Sequence, residues 1–275
     1  MNQRKQERRC TSKMMTLGRI AGAQEQAFIE AKRIGLDFLE FTVDIGDDGE
    51  EFVAKVDQLK QWSEETGVGI GSVGRWKTDR IDEAGDVIEE ELQICFNLID
   101  AAAALGCSNF VSGCNYIQSR SYLDNCLSAI DFYSRLIAYG AKKNVRISSA
   151  TCYKNNFVNN PTAWQVIHGH LPELGIKYDP SHRIYAGEDY LQEVKDWGHR
   201  FYHVHLKGSF AMGGERIDEP IPGMDQTNWQ LFMSLLYAKG YDAGLSIEPH
   251  SSYITGEREV KSIEFTVNYF KKMLF

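Results

Sequence analysis

Three side chains that could bind a metal ion or move a proton follow one another in the last 97 residues of the chain. Asp179, His205 and Glu248 each stand near the end of a short run in which apolar and polar residues alternate. Two carboxylates and one imidazole suit Mn²⁺, Mg²⁺, Co²⁺ or Zn²⁺ and leave positions open for substrate oxygens. The set therefore predicts a catalytic divalent-metal site, because a structural zinc would favour thiolates.

The alternation also indicates which side chains share a face. Successive residues of a strand point to opposite sides, so His203, His205 and Lys207 face one way while the apolar residues between them face the other. The same pattern gives one set of inward-facing ionisable residues: Glu40, Asp44, Lys177, Asp179, His203, His205, Lys207, Glu248 and His250. Burying such charges is unfavourable unless they meet each other, a metal or a charged ligand. For any one of them alone, a place in solvent or in a polar network is the alternative.

The elements that position these residues repeat along the chain. Seven glycines each follow a helix-like stretch and precede an apolar run: Gly35, Gly67, Gly106, Gly140, Gly175, Gly198 and Gly240. We expect them to close helices in the left-handed conformation, which glycine adopts without steric cost. Their mean spacing of about 34 residues is the length of one strand, one helix and two loops.

Eight strands are predicted, counting the opening run. They cover residues 14–20, 36–43, 68–73, 108–111, 145–149, 176–179, 201–206 and 243–248. Eight strand-helix units in about 260 residues predict a single-domain (βα)₈ TIM barrel over residues 14–275, whose active site lies at the carboxyl ends of the strands. A doubly wound open sheet is the alternative, because periodicity does not show closure.

Charge is distributed unevenly. The formal net charge is −8, but residues 1–19 hold six Lys or Arg and one acid, so residues 20–275 carry −13. We expect residues 1–13 to form a basic extension and the acidic body to bind a small molecule rather than nucleic acid. No apolar stretch approaches the roughly 20 residues of a membrane helix, and the six cysteines include no CxxC pair. A cytoplasmic protein without a membrane partner is predicted, and a homo-oligomer is left open.

Four motifs resemble the xylose isomerase-like TIM-barrel superfamily, and its sugar phosphate isomerase/epimerase group in particular. They are YDPSH at 178–182, YHVHLKG at 202–208, IPGMD at 221–225 and LSIEPH at 245–250. The resemblance implies a sugar or sugar-derived substrate and one divalent cation, with Mn²⁺ the first expectation, bound by Asp179, His205 and Glu248. It also implies that Glu248 is the base that removes a proton beside a carbonyl, with His182 or Lys207 as proton donor or oxyanion partner.

Further residues are predicted to contact the substrate. The resemblance places Glu40 in the sugar pocket and Arg216 in a loop above it. Arg75 and Trp76 follow the third strand, where an aromatic ring can stack on a sugar face. His203 is also predicted to contact the substrate, because it lies on the inward face of the seventh strand.

Two positions depart from the family pattern. Ala150 stands where the fifth strand of the family carries a glutamate ligand, and Gly208 stands where an aspartate often follows the His-x-Lys segment. An epimerase needs a second acid to return the proton to the opposite face, so the loss favours a one-base reaction. Aldose-ketose isomerisation and loss of a β-leaving group, water or a glycoside, are the candidate reactions. A non-catalytic sugar-binding subunit is the main alternative, and an apurinic endonuclease fits the acidic body poorly.

Overall fold

A computed structural model describes residues 14–275, so the predicted basic extension at residues 1–13 lies outside the described residues. The strands are β1 (Thr16–Ile20), β2 (Phe38–Val43), β3 (Gly69–Arg75), β4 (Asn109–Ser112), β5 (Arg146–Ala150), β6 (Gly175–Tyr178), β7 (Phe201–Leu206), β8 (Phe210–Met212), β9 (Glu215–Asp218) and β10 (Gly244–Ile247). The helices are α1 (Glu25–Ile34), α2 (Glu50–Ala54), α3 (Val56–Thr66), α4 (Glu89–Ala104), α5 (Tyr122–Ala141), α6 (Pro161–His170), α7 (Pro180–Tyr185), α8 (Tyr190–Trp197), α9 (Trp229–Ala238) and α10 (Glu257–Lys271).

Eight of the strands form one closed parallel barrel. Its order is β1-β10-β7-β6-β5-β4-β3-β2, and the pairing of β1 with β10, in which Leu17 lies opposite Leu245, closes the ring. Every predicted strand is present, so the single-domain TIM barrel is confirmed and the open doubly wound sheet is wrong. The antiparallel hairpin of β8 and β9 is an insertion after β7 that the sequence pattern did not predict.

The prediction that seven glycines end helices in the left-handed conformation is confirmed at four positions and wrong at three. Left-handed glycines follow helices with φ between 70° and 76° at Gly35, Gly67, Gly106 and Gly240. In contrast, Gly140 lies inside α5, Gly175 opens β6, and Gly198 has a φ of −55° at the start of a 3₁₀ turn. Asn144, with a φ of 59°, supplies the left-handed residue after α5, because asparagine also tolerates this conformation.

The two faces of β5 are distinguished by their hydrogen bonds. Ser148 donates to Asn109 Oδ1 at 2.7 Å inside the barrel. Ser149 faces the helix layer, where its Oγ lies 3.1 Å from His168 Nε2 on α6. Ala150 therefore points inward again, toward the same interior as its register neighbour Lys177 on β6.

His168 should make the stability of the fold depend on pH. Burial, with the Arg200 charge, lowers the pKa of its imidazole from 6.5 to about 3. The unfolded chain binds this proton more readily than the folded chain. The contribution of neutral His168 to the free energy of unfolding is therefore fully present above pH 6.5. It is lost as pH falls from 6.5 toward 3, at about 1.4 kcal/mol per pH unit. Urea unfolding at pH 7.5 and pH 5 should show a smaller loss of unfolding free energy in His168→Gln than in the natural protein. An equal loss in both proteins would contradict the assignment.

Candidate active site

The three predicted metal ligands meet at the carboxyl ends of β6, β7 and β10. Asp179, His205 and Glu248 offer ligand atoms that all lie within 4.8 Å of one another. Asp179 and His205 are buried, whereas the Glu248 side chain is 17% exposed and lines the cavity above them. The residues chosen from strand alternation are therefore brought together, with Glu248 as the carboxylate that faces incoming molecules.

His205 is held from both sides by carboxylates. Its Nδ1 lies 2.6 Å from Glu248 Oε2, and its Nε2 lies 2.9 Å from Glu40 Oε1. Glu40 Oε2 also lies 2.7 Å from His203 Nε2, so Glu40 joins two imidazoles beneath the site. A carboxylate behind an imidazole fixes the tautomer and orientation of a metal-binding histidine. In His205, Nε2 faces Glu40 and Nδ1 faces Glu248.

Lys207 places its ammonium group among three carboxylates. Its Nζ is 3.4 Å from Asp179 Oδ2, 3.5 Å from Glu219 Oε1 and 3.8 Å from Glu248 Oε2. The same Nζ is 3.3 Å from His182 Nε2. The buried acids of the site therefore have a fixed positive charge at their centre.

These contacts determine the protonation of the site. Burial would raise the pKa of both acids, but Lys207 with His182 lowers the pKa of Asp179, and Lys207 with His205 holds the pKa of Glu248 well below its usual value. Burial opposes the charge of Lys207, but Asp179 and Glu248 outweigh it and raise the pKa of the ammonium. Burial lowers the pKa of His182 to about 3, in spite of Asp179. At neutral pH the acids are ionised, Lys207 is charged and the His182 imidazole is neutral.

One oxygen of Asp179 tests whether these residues fit a metal ion. Oδ1 accepts hydrogen bonds from the Ser181 backbone N at 3.0 Å and from its Oγ at 2.7 Å. Oδ2 is buried and accepts no hydrogen bond within residues 14–275, since Lys207 and His182 stand 3.4 Å away. A buried carboxylate oxygen without a donor beside an imidazole and a second carboxylate fits a divalent cation with three protein ligands.

A cavity of about 330 Å³ opens above this cluster at the mouth of the barrel. Six of the predicted site residues line it: Trp76, His182, His205, Lys207, Arg216 and Glu248. Asp179 lies beneath it. Glu40 and His203 are buried behind His205 and do not line the cavity, so their contact is with each other and with His205. Both residues were predicted to contact the substrate, but the structure places them behind the proposed metal ligands.

Arg75 also lies outside the cavity lining, contrary to its prediction as a pocket residue. Its guanidinium turns toward α4, where Nε and Nη2 donate to the Glu91 carboxylate at 2.8 and 3.0 Å, and Nη1 donates to the Asp44 carbonyl at 2.9 Å. Arg80, which is fully buried, lies 3.9 Å from the same carboxylate. Alternation identified the strand end but not the buried acid that binds this arginine.

Glu91→Gln should therefore destabilise the protein. Removing one partner of a buried ion pair leaves the other charge uncompensated and costs about 3–5 kcal/mol. The matched control is Glu89→Gln, because Glu89 lies two residues earlier in α4, on the exposed side of the helix, and pairs with Arg135 at the surface. That pair should contribute less than about 1 kcal/mol. Equal midpoints of urea unfolding for the two variants would contradict the prediction.

Sequence reasoning missed several residues of the cavity. Lys177, Tyr153, Glu219 and His250 all line it. Lys177 and His250 belonged to the predicted inward faces but received no role, although His250 Nε2 lies 2.8 Å from Glu248 Oε1. Glu219 stands on a loop, where no periodicity indicates direction, although it contacts Lys207.

The departure at Gly208 has a steric cause. A Cβ at this position would overlap the carbonyl oxygen of Pro220 and come within 3.0 Å of Asp225 Cβ. The backbone after β7 therefore packs directly against the loop that follows β9. An aspartate at position 208 would require that loop to move.

The fold agrees with comparisons to known proteins. Residues 28–272 match the family described as xylose isomerase-like TIM barrel. The chain belongs to this family. The confirmed membership accounts for the strongest motifs of the sequence, which lie on β6, β7 and β10. No curated protein sequence matches the chain significantly.

Solved structures show the same xylose isomerase-like fold at low sequence identity. The 3-keto-D-glucoside 4-epimerase of E. coli is 18% identical, with a TM-score of 0.74 over 94% of this chain and 99% of that one. The D-psicose 3-epimerase of Clostridium cellulolyticum is 11% identical, with a TM-score of 0.77 over 94% and 99%. A probable 3-DHS dehydratase of Bacillus anthracis is 12% identical, with a TM-score of 0.71 over 94% and 99%. At these identities the likeness shows the fold alone.

No helix within residues 14–275 is both long and apolar enough to cross a membrane.

Proposed function

We propose that the protein is a divalent-metal-dependent enzyme of the sugar isomerase/epimerase type, which removes a proton beside the carbonyl of a sugar-derived substrate. The observation that carries the proposal is the cluster of Asp179, His205 and Glu248 under an open cavity. Asp179, His205 and Glu248 would hold the ion, with Mn²⁺ the first candidate. The ion would act as a Lewis acid that polarises the substrate carbonyl.

Glu248 is the base in this proposal. It is the carboxylate of the ligand set that lines the cavity, and it is ionised because Lys207 and His205 keep its pKa low. Its Oε1 and Oε2 are oriented by His250 and His205 at 2.8 and 2.6 Å, which fixes the carboxylate for proton removal. A positioned carboxylate is the group that an enolisation needs.

Lys207 is the oxyanion partner and His182 a neutral hydrogen-bonding group. Three carboxylates keep Lys207 charged, so it stabilises negative charge that develops on a substrate oxygen rather than donating its proton. His182 has a pKa of about 3 and contacts Lys207, so it accepts a hydrogen bond from a substrate hydroxyl or from the ammonium.

Ala150 supports a one-base reaction. It points into the barrel from β5 and offers no proton acceptor on the side where the family has a second carboxylate. Aldose-ketose isomerisation or β-elimination needs one base, whereas epimerisation returns a proton from the opposite face. The fold neighbours include both epimerases and a dehydratase, so both classes of product belong in the assay.

The test is proton exchange. Purified protein is incubated in D₂O with D-allulose, D-fructose, D-tagatose and a 3-keto-D-glucoside, and deuterium incorporation and products are followed by NMR. Exchange with one of these carbonyl compounds, lost when Glu248 is changed, supports the proposal. Absence of exchange and of elimination products across the panel would reject these substrates and favour the accessory sugar-binding subunit, whose support is the missing fifth-strand glutamate.

A further inference from the structure

Lys177 is a buried cation at the mouth of the barrel for which the catalytic proposal has no use. Its residue is 2% exposed, and it lines the cavity that holds Glu248 and Lys207. Among residues 14–275 its Nζ forms no ion pair within 4.0 Å and no hydrogen bond; it contacts the Trp76 ring, and its charge acts on Asp179 only at longer range. A buried ammonium group without a directly paired carboxylate is unfavourable.

The other cations of the cavity have different surroundings. Lys207 meets three carboxylates, Arg216 lies 2.6 Å from Glu219, and Lys77 pairs with Asp44. Lys154 lacks a pair among the described residues but is exposed, so water solvates it. Lys177 is therefore the cavity-lining cation of the described chain that is both buried and without a carboxylate.

The neighbours of Lys177 explain why no acid reaches it. Its register partner on β5 is Ala150, the position at which the family pattern has a glutamate. Its register partner on β7 is His203, and its ammonium lies 5.1 Å from the centre of the Trp76 ring. A cation–π contact offsets part of the desolvation but supplies no hydrogen-bond acceptor. The indole Nε1 of Trp76 is itself buried without an acceptor within residues 14–275.

We propose that Lys177 binds an oxyanion group of the substrate, a carboxylate or a phosphate, so that the enzyme acts on acidic sugar derivatives. The bound anion accepts hydrogen bonds from the three N–H donors of the ammonium. It also supplies the negative charge that a glutamate at position 150 would provide and that Ala150 lacks. This inference rests on the proposed function only in taking this cavity as the substrate site.

The experiment compares anions with neutral sugars of matched size. Binding of D-gluconate against D-glucitol, and of D-glucose 6-phosphate against D-glucose, is measured by calorimetry with the full chain. We expect each preferred anion to bind at least about tenfold more tightly than its neutral counterpart, as for hydrogen bonds to charged groups. The two pairs distinguish a carboxylate from a phosphate. If neither anion is preferred, the proposal is overturned.

Variants assign the preference to Lys177. Lys177→Gln should abolish it, whereas Lys154→Gln, which removes an exposed cation from the same cavity, should retain it. Ala150→Glu should also abolish it by placing a carboxylate beside Lys177, and Ala150→Gln should retain it within about threefold. A preference that survives in Lys177→Gln, or that disappears equally in Lys154→Gln, overturns the proposal. Circular dichroism checks the fold of each variant.

Two readouts keep this inference separate from the proposed function. Metal content is measured for every variant. If the anion preference is lost only in variants that also lose the metal, the metal ion binds the anion, and the role of Lys177 is overturned. Deuterium exchange is followed on the neutral sugars and also on D-glucose 6-phosphate, and the catalytic proposal requires that any exchange is lost when Glu248 is changed. Exchange without anion preference therefore rejects the subsite alone, and anion preference without exchange on either the neutral or the acidic sugars rejects the catalytic proposal alone.

Discussion

Glu248→Gln is expected to lower the rate of deuterium exchange by about 10²–10⁴-fold, the usual contribution of a positioned general base. The amide keeps the shape of the side chain and still contacts His205 and His250, which lie 2.6 and 2.8 Å from the natural carboxylate. It has no proton affinity at neutral pH. The loss should therefore fall on turnover while the fold is retained.

The measurement is the initial rate of deuterium incorporation from D₂O at saturating substrate. Glu219→Gln is the matched control, because it removes another cavity carboxylate that contacts Lys207 at 3.5 Å but is not the base. We expect it to lose less than about tenfold, since it disturbs one partner of Lys207 and leaves the proton acceptor intact. A Glu248→Gln enzyme that exchanges as fast as Glu219→Gln would assign the base elsewhere.

Removal of the metal should abolish the same exchange. The purified protein is expected to hold one divalent ion per chain, to lose exchange after treatment with a chelator, and to regain it with Mn²⁺. The reason is the ligand set: Oδ2 of Asp179 has no hydrogen-bond donor in the described chain, and His205 directs Nδ1 toward Glu248. Metal analysis and the rate before and after chelation provide the measurement.

Asp179→Asn checks which residues bind the ion. Loss of a partner behind a ligand typically costs about 10–100-fold in metal affinity, so loss of a ligand should cost at least as much. The control is Glu193→Gln, because Glu193 is a buried acid on α8 that pairs with Arg183 away from the cavity. Its metal affinity should be unchanged even if its stability falls. Exchange that continues in chelated protein would reject the metal and leave Lys207 as the electrophilic group.

The barrel could be predicted from the sequence because its signals are local. Strand alternation and the spacing of helix ends depend on residues close together in the chain, and all eight predicted strands occur in the barrel. The hairpin of β8 and β9 escaped prediction because its strands have only three and four residues, too few to show an alternation of apolar and polar side chains. Three of seven glycines were misread, because a glycine also serves where another chain segment packs closely, as Gly175 does against Tyr202.

The candidate site could be predicted in part for the same reason. Alternation indicates which side of a strand a residue faces, and this was enough to select Asp179, His205 and Glu248. It does not indicate which side chain a residue pairs with, which for Arg75 is Glu91 on α4 rather than a ligand.

By itself the sequence determined the eight strand-helix units, the inward face of each strand and the residue types at the carboxyl ends. Only the tertiary structure decided closure and pairing: Glu40 reaches His203 and His205 from 163 and 165 residues away. It also decided that Lys207 lies among carboxylates whereas Lys177, on the neighbouring strand, has none. The physical reason is that the backbone geometry of a strand alone determines the side to which each side chain points. Whether a charged side chain meets an opposite charge depends instead on distances across the closed barrel.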